Sequence, residues 1–330
     1  MLICGDVGGT KALIALAEVQ GGTVSFRLRR HYRSADYPDL TSILQEFIGV
    51  ASDAAMYPTD ITGGCLAVAG PIADHGRHAK LTNLPWEIDA GELASRLGTG
   101  PIRLVNDFVA AAAGIDAVDA SSLVELQRGE PESRGVRLAI GAGTGLGTAV
   151  LIWHGGGVGS TEGGYRAMPG EGGHIGFAPT DATQVELWRY LQKIHGRVTN
   201  EHVASGPGLS AIYQFVQGGA TEVVEPEKID QLAAKDPDGP AGRAMDLFFR
   251  IYGAAAGDLA LAVLPRGGVY IAGGIAARVL PQLQASAFLD AFNDKAGHSA
   301  LTRRFPVKVV TDLDLGLKGA ARLAAGQHPA

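Results

Sequence analysis

Cysteine is scarce, with only Cys4 and Cys65 in 330 residues. Neither stands in a Cys-x-x-Cys spacing, so the chain has too few ligands for a structural zinc cluster and too few thiols for a disulfide framework. A reducing compartment fits. Clustered positive charge is also lacking: 28 Lys and Arg are outnumbered by 34 Asp and Glu, for a net charge of −6. The densest basic run, Arg27 to Arg33, is interleaved with Leu28, His31 and Tyr32, as in a solvated strand. Nucleic acid is therefore not an expected partner, because phosphate backbones need a clustered positive surface. No apolar run approaches the roughly eighteen residues that a membrane span requires. Met1 leads straight into Leu2-Ile3-Cys4 without the charged and apolar regions of an export signal. A cytoplasmic protein with no membrane partner is expected, and so abrupt a start leaves no room for an N-terminal helix-turn-helix.

What is present is an ordinary globular composition, 46% hydrophobic and 19% charged with no long polar tract. At roughly 100 to 200 residues per domain, this length suggests two domains with a cleft between them. Leu2 to Val19 reads as strand, glycine turn and strand, the turn being Gly5-Asp6-Val7-Gly8-Gly9-Thr10-Lys11. Arg137 to His154 repeats that grammar around Gly141-Ala142-Gly143-Thr144-Gly145-Leu146-Gly147. The two segments align without gaps, Gly5 on Gly141 and Gly9 on Gly145, which suggests two domains of similar construction.

Between the hairpins the chain alternates strand-like and helix-like stretches, the α/β signature. Gly64 to Val68 reads as a buried strand. Asp89 followed by Glu92 has capping-box spacing ahead of a helix. Ile102 to Val105 reads as a strand ending at Asn106-Asp107, followed by Phe108-Val109 and four alanines, which favour helix. Gly155 to Gly173 reads as an irregular loop, long enough to serve a site. Helices are expected over Val185 to Ile194 and Asp246 to Val263, with Glu222 to Asp238 as a surface excursion. Val269 to Ala272 is a buried strand broken by Gly273-Gly274, with a helix beginning at Ile275. A strand over Val307 to Val310 precedes a C-terminal helix near Gly319 to Ala325.

A glycine turn between strands lets backbone amides approach phosphate oxygens, and a terminal threonine adds a hydroxyl donor. Gly5 to Thr10 and Gly141 to Gly147 both fit. Singly, either is equally a tight hairpin; a pair, one per domain, favours phosphate. Strands rather than helices follow both turns, which argues against P-loop and Rossmann readings. Phosphoryl transfer to an alcohol also needs a base, and Asp107 at a strand-to-helix junction is a candidate. The helix dipole there stabilises the carboxylate and makes it a weak base, which suits a loose transition state. From position alone, Asp107 or Asn106 reads equally as an N-cap. Glu171 and His174, three residues apart among glycines, suit sugar hydroxyls, or else form a polar loop facing solvent. Glu201 reads as a helix N-terminal acid.

Taken in order, Gly5 to Thr10, Val105-Asn106-Asp107-Phe108, Gly141 to Gly147, Pro169 to His174, Ser205-Gly206-Pro207-Gly208 and Ile271-Ala272-Gly273-Gly274-Ile275 resemble the bacterial glucokinase family, nearly end to end. That family belongs to the actin-like ATPase (hexokinase) superfamily. The resemblance implies an α/β, two-lobed actin-like ATPase fold of ribonuclease H-like type, each lobe a mixed sheet flanked by helices. The expected small lobe is 1–112 plus 306–330, and the large lobe 113–305. It further implies ATP and glucose as substrates, with Gly5, Asp6, Val7, Gly8, Gly9, Thr10, Gly143 and Thr144 at the phosphates and Gly273 and Gly274 by the adenosine. Asp6 would orient Mg2+ through water. Asp107 becomes the base, Asn106, Glu171, His174 and Glu201 bind glucose hydroxyls, and a homodimer is implied. Lys11 departs from the family's usual asparagine and matches the related repressor and kinase (ROK) family, whose cysteine-rich zinc motif is absent here. Its role stays open, as do another hexose, a polyphosphate donor or a non-catalytic scaffold.

Overall fold

The computed structural model describes residues 1–53, 61–82, 84–155 and 163–326. The chain opens with β1 (Leu2–Val7), β2 (Lys11–Gln20), β3 (Thr23–Arg33), α1 (Leu40–Asp53) and β4 (Gly63–Val68). Three short strands follow, β5 (Ile72–Ala73), β6 (His78–Lys80) and β7 (Glu87–Asp89), then α2 (Ala90–Leu97), β8 (Ile102–Asn106) and α3 (Asp107–Gly114). Next come β9 (Leu123–Gln127), β10 (Arg137–Ala142), β11 (Leu146–His154), β12 (Gly164–Gly170), α4 (Ala182–His195), α5 (Gly206–Val216), α6 (Pro226–Lys235) and α7 (Pro240–Val263). The chain closes with β13 (Gly268–Ala272), α8 (Gly274–Arg278), α9 (Leu280–Ala285), α10 (Phe288–Asn293), α11 (Ser299–Thr302), β14 (Val307–Val310) and α12 (Leu315–Ala324). Among the described residues, no helix is long and apolar enough to cross a membrane.

Two compact units result, one of Met1–Ala120, Leu151–Pro169 and Asp314–Ala330, the other of Ser121–Val150 and Gly170–Leu313. Residues 306–313, expected with the first unit, lie in the second because β14 pairs in parallel with β13. Residues 113–120 and 151–169, expected with the second unit, group with the first, which the chain rejoins for the last time at Asp314.

The larger sheets repeat one topology. The first runs β3-β2-β1-β4-β8, and the second β12-β11-β10-β13-β14 with β9 added at its edge. With hairpin β10/β11 as the counterpart of β1/β2, the strand orders coincide, and the repeat visible in sequence is a repeat of topology. In the first sheet β1 pairs antiparallel with β2 and parallel with β4. Successive residues alternate between its faces. Ile3, Val7, Ile14, Leu16, Leu66 and Leu104 build one core with Ile43, Leu44 and Phe47 of α1 and Leu93 of α2. The other face is small: Cys4, Ala15, Ala17, Cys65 and Ala67 meet Ala110 and Ala113 of α3 and Leu317, Ala320 and Ala321 of α12. The alanines after Asp107 thus serve close packing as well as helix propensity. Burial pushes both thiols up, Cys65 to about 12, which leaves them inert as nucleophiles.

In the second unit α7 is the central helix, its Phe248 and Tyr252 fully buried among Ile140, Leu209, Ile271 and Phe288. Two sequence expectations fail. The stretch from Gly155 to Gly173 contains a strand, β12, whose pairing with β11 overrides its glycine-rich composition; residues 156–162 of that stretch lie outside the described residues. Glu222 to Asp238 contains α6, begun by Pro226 in its first turn and anchored by the fully buried Ile229.

Candidate active site

In the first unit the β1/β2 turn and the end of β8 share one sheet edge. Val7 pairs with Val68, and Val68 with Asn106, so Val7 and Asn106 stand level, two strand spacings or about 10 Å apart. This is the carboxyl edge of parallel strands, where α/β sheets place ligands. Gly8 N donates to Lys11 O at 2.9 Å, closing the turn. The buried Ser34 fastens it from β3's end, its Oγ donating to Gly8 O at 3.0 Å and its N to Thr10 O at 3.1 Å.

Asp6 lies on the small-residue face, toward α12, and a Cβ on Gly316 would come 2.9 Å from its Oδ2. Burial pushes the Asp6 carboxyl up, and the Lys11 ammonium works against that shift. Among the described residues no three His, Cys, Asp or Glu side chains converge in a way that could hold a metal. The donor chemistry fits a magnesium ion carried mainly by nucleotide phosphates and waters, with Asp6 as the nearby carboxylate.

At the end of β8 the structure decides between two caps. Asn106 is the N-cap of α3, its Oδ1 accepting from Phe108 N at 2.9 Å and Val109 N at 3.3 Å. Asp107 is consequently the first helical residue, with its Oδ1 accepting from Phe108 N at 2.8 Å.

In the second unit three segments meet at the start of β11. The β10/β11 turn is closed by Gly143 N donating to Gly145 O at 2.8 Å. Tyr252 braces its base from α7, its hydroxyl accepting from Ala142 N at 3.3 Å and donating to Ile140 O at 3.4 Å. Glu201 Oε2 accepts from Leu146 N at 2.9 Å, and Gly206 N at the start of α5 donates to Gly143 O at 2.8 Å. Ser205 caps α5, accepting from Gly208 N at 3.1 Å while donating to Glu201 O at 2.7 Å. Gly273 and Gly274 adjoin the same turn at the next strand's end, since Gly141 pairs with Ala272.

The loop carrying Glu171 and His174 is pressed onto β11. A Cβ on Gly173 would come 2.4 Å from Leu146 O, so only glycine permits that approach. Thr148 Oγ1 donates to Gly170 O at 3.0 Å and accepts from Gly172 N at 2.9 Å. The loop is also tied to Glu201, whose N donates to Gly173 O at 2.9 Å. Glu171 and His174 themselves are exposed, at 81% and 63% of their side chains, with Oε2 and Nε2 3.8 Å apart. The second unit therefore assembles Gly143, Thr144, Glu171, His174, Glu201, Gly273 and Gly274, and the first assembles Gly5 to Thr10 with Asn106 and Asp107. Sequence reading passed over Thr148, Tyr252 and Ser34, which position the site without carrying chemistry-specific spacing. Ser205 entered the sequence analysis only through the family resemblance, although a serine before Gly-Pro-Gly is a signal that marks a helix cap.

Replacing Thr148 by Val leaves the Gly172 amide and Gly170 carbonyl without their bridge. A loss of about 1 to 3 kcal/mol in unfolding free energy is expected, read by chemical denaturation; unchanged stability would show that the bridge does not hold the loop.

A doubled sheet of one strand order, with a glycine-turned hairpin at the head of each copy, defines an actin-like ATPase fold. The sequence model of the Glucokinase family matches residues 3–327. The glucokinase of Nostoc sp. is 37% identical, covering 98% of this chain and 99% of that protein, and that of Synechocystis sp. is 34% identical over 98% and 97%. The crystal structure of a glucokinase from an Antarctic psychrotroph superposes with a TM-score of 0.82 at 29% identity, covering 98% of both chains. The chain belongs to the glucokinase family.

Proposed function

We propose that this protein transfers the γ-phosphoryl group of ATP to the 6-hydroxyl of glucose, giving glucose 6-phosphate and ADP. The observation that carries this reading is the glucokinase match over residues 3–327, which spans every motif singled out above. The O6–Pγ bond forms as the bond from Pγ to the β,γ-bridging oxygen breaks, and that electron pair leaves with ADP. Asp107 receives the O6 proton, its oxygens aimed by the first turn of α3. Amides and hydroxyls of Gly5, Asp6, Val7, Gly8, Gly9 and Thr10, and of Gly143 and Thr144, face the phosphates, while Gly273 and Gly274 border the adenosine. Asp6 would hold Mg2+ through water, and the ion would supply neutralisation of the phosphate charge. Asn106, Glu171, His174 and Glu201 bind glucose hydroxyls. The protein acts in the cytoplasm, as a homodimer.

A coupled assay of ADP release over glucose, fructose, mannose and amino sugars, repeated for donor consumption with polyphosphate, tests this. Glucose-dependent ADP release from ATP is the expected result. Its absence, or phosphorylation of another hexose in preference to glucose, would overturn the assignment.

A further inference from the structure

Glu201 stands in a single turn that a histidine closes. His202 N donates to Thr199 O at 3.1 Å, and Thr199 N donates back to His202 Nδ1 at 3.1 Å. The imidazole accepts from the amide three residues back, as Glu or Gln does in a capping box, while the other bond is an ordinary backbone turn onto the Thr199 carbonyl. Thr199 is buried, so its amide has no ready replacement in water for that acceptor. The same turn is fixed outward by Asn200 N donating to Ile175 O at 2.9 Å and by the Glu201 bond to Gly173 O.

Towards Thr199 N the His202 Nδ1 acts as acceptor, the role of a neutral ring with its hydrogen on Nε2; Thr199 Oγ1 lies 3.3 Å from the same nitrogen and takes either role, but an imidazolium has two donors and no acceptor, so on protonation the Thr199 amide loses its partner. His202 also stacks on His195, at the end of α4, with centroids 4.0 Å apart and planes at 11°. The ionisable groups felt by His202 are His195, Glu201 in the same turn and His174 in the adjoining loop. Burial first, and then His195, hold the His202 ring below its usual value of 6.5; Glu201 opposes this and His174 adds to it.

We propose that His202 is a positioning residue for the sugar site: neutral, it locks the turn that presents Glu201, and protonation unlocks it. The inference rests on Glu201 being a glucose ligand, as proposed above. Its sign follows from the depressed pKa. The lock is fully present above the unfolded value of 6.5 and is lost as pH falls from there through the folded value.

Glucose KM and kcat, measured between about pH 5.5 and 8, test it in wild type, His202→Asn, His202→Leu and Glu201→Gln. For wild type, KM is expected to rise roughly three- to tenfold toward the acid end, the scale of one hydrogen bond, with kcat changing less. His202→Leu, which has no acceptor, raises KM across the range. His202→Asn offers an untitratable oxygen to Thr199 N, recovers the KM that the leucine variant loses, and flattens the acid rise. A retained acid rise in His202→Asn, or a wild-type KM in His202→Leu, would overturn the proposal. Raised KM in Glu201→Gln together with a retained acid rise in His202→Asn overturns the role of His202 alone. A wild-type KM in Glu201→Gln overturns the sugar role of Glu201 and this inference with it. Ring 15N shifts give a check independent of activity: the Nε2-protonated tautomer supports the lock, and an Nδ1-protonated ring contradicts it.

Discussion

In an Asp107→Ala variant, kcat for glucose is expected to fall by roughly a hundred- to ten-thousand-fold, the range for removing a positioned proton acceptor. Stability should scarcely move. The N-cap of α3 is Asn106, which accepts from both Phe108 N and Val109 N, so the helix keeps its cap when Asp107 is removed. Among what the variant loses are the bond to Phe108 N and a favourable charge at the dipole's positive end, worth about 0.3 to 1 kcal/mol. Alanine's higher helix propensity offsets part of that. Asn106→Ala behaves in the opposite way: it costs about 1 kcal/mol of stability through the lost cap and raises glucose KM, while leaving a carboxylate at Asp107. The pair is read by kcat, KM and thermal unfolding together. Near-normal turnover in Asp107→Ala, with glucose still bound, would remove Asp107 as the base.

Much of this site was legible because its chemistry depends on short local signals. Glycine turns, a strand running into Asn-Asp and a Ser before Gly-Pro-Gly each dictate backbone geometry within a few residues. The choice between Asn106 and Asp107 as cap was not legible, since both residue types cap helices and only the strand's last φ/ψ selects one. Glu201 shows another limit. Read as a helix N-terminal acid, it is in fact bonded to Leu146 N, 55 positions earlier, a partner that no local pattern can name. The loop expected over Gly155 to Gly173 hid β12 because glycines weaken the strand signal, while pairing with β11 supplies the missing stabilisation. In α6 the signal was present, with Pro226 opening the helix and Ile229, Leu232 and Ala233 spaced along one face, but charged neighbours concealed it.

The largest stability effect is expected where α3 and α12 cross, because the geometry there is set by absent side chains. A Cβ on Gly319 of α12 would come 1.7 Å from Ala110 O and 2.8 Å from Gly114 N. A Cβ on Gly114 of α3 would come 2.2 Å from Leu315 O. In an open helix, Gly→Ala stabilises by up to about 1 kcal/mol, but these neighbours are backbone and cannot turn aside. Relief requires the helices to separate, and overpacking of this kind costs typically 1 to 3 kcal/mol and occasionally more. Gly319→Ala should therefore destabilise by about 3 kcal/mol, in spite of its better helix propensity. Gly49→Ala in α1, where no atom lies within 4 Å of the added Cβ, is the matched control and should be neutral or stabilising. Both are read by differential scanning calorimetry and denaturant unfolding. The functional consequence follows from what each helix carries: α3 begins at Asp107, and Gly316 in the first turn of α12 lies against Asp6. Separation of the helices moves both carboxylates, so activity should fall along with the unfolding temperature in Gly319→Ala and hold in Gly49→Ala. A Gly319→Ala protein that melts at or above the wild-type temperature would show that the crossing relaxes without cost, and that the glycines there do not set the position of the catalytic edge.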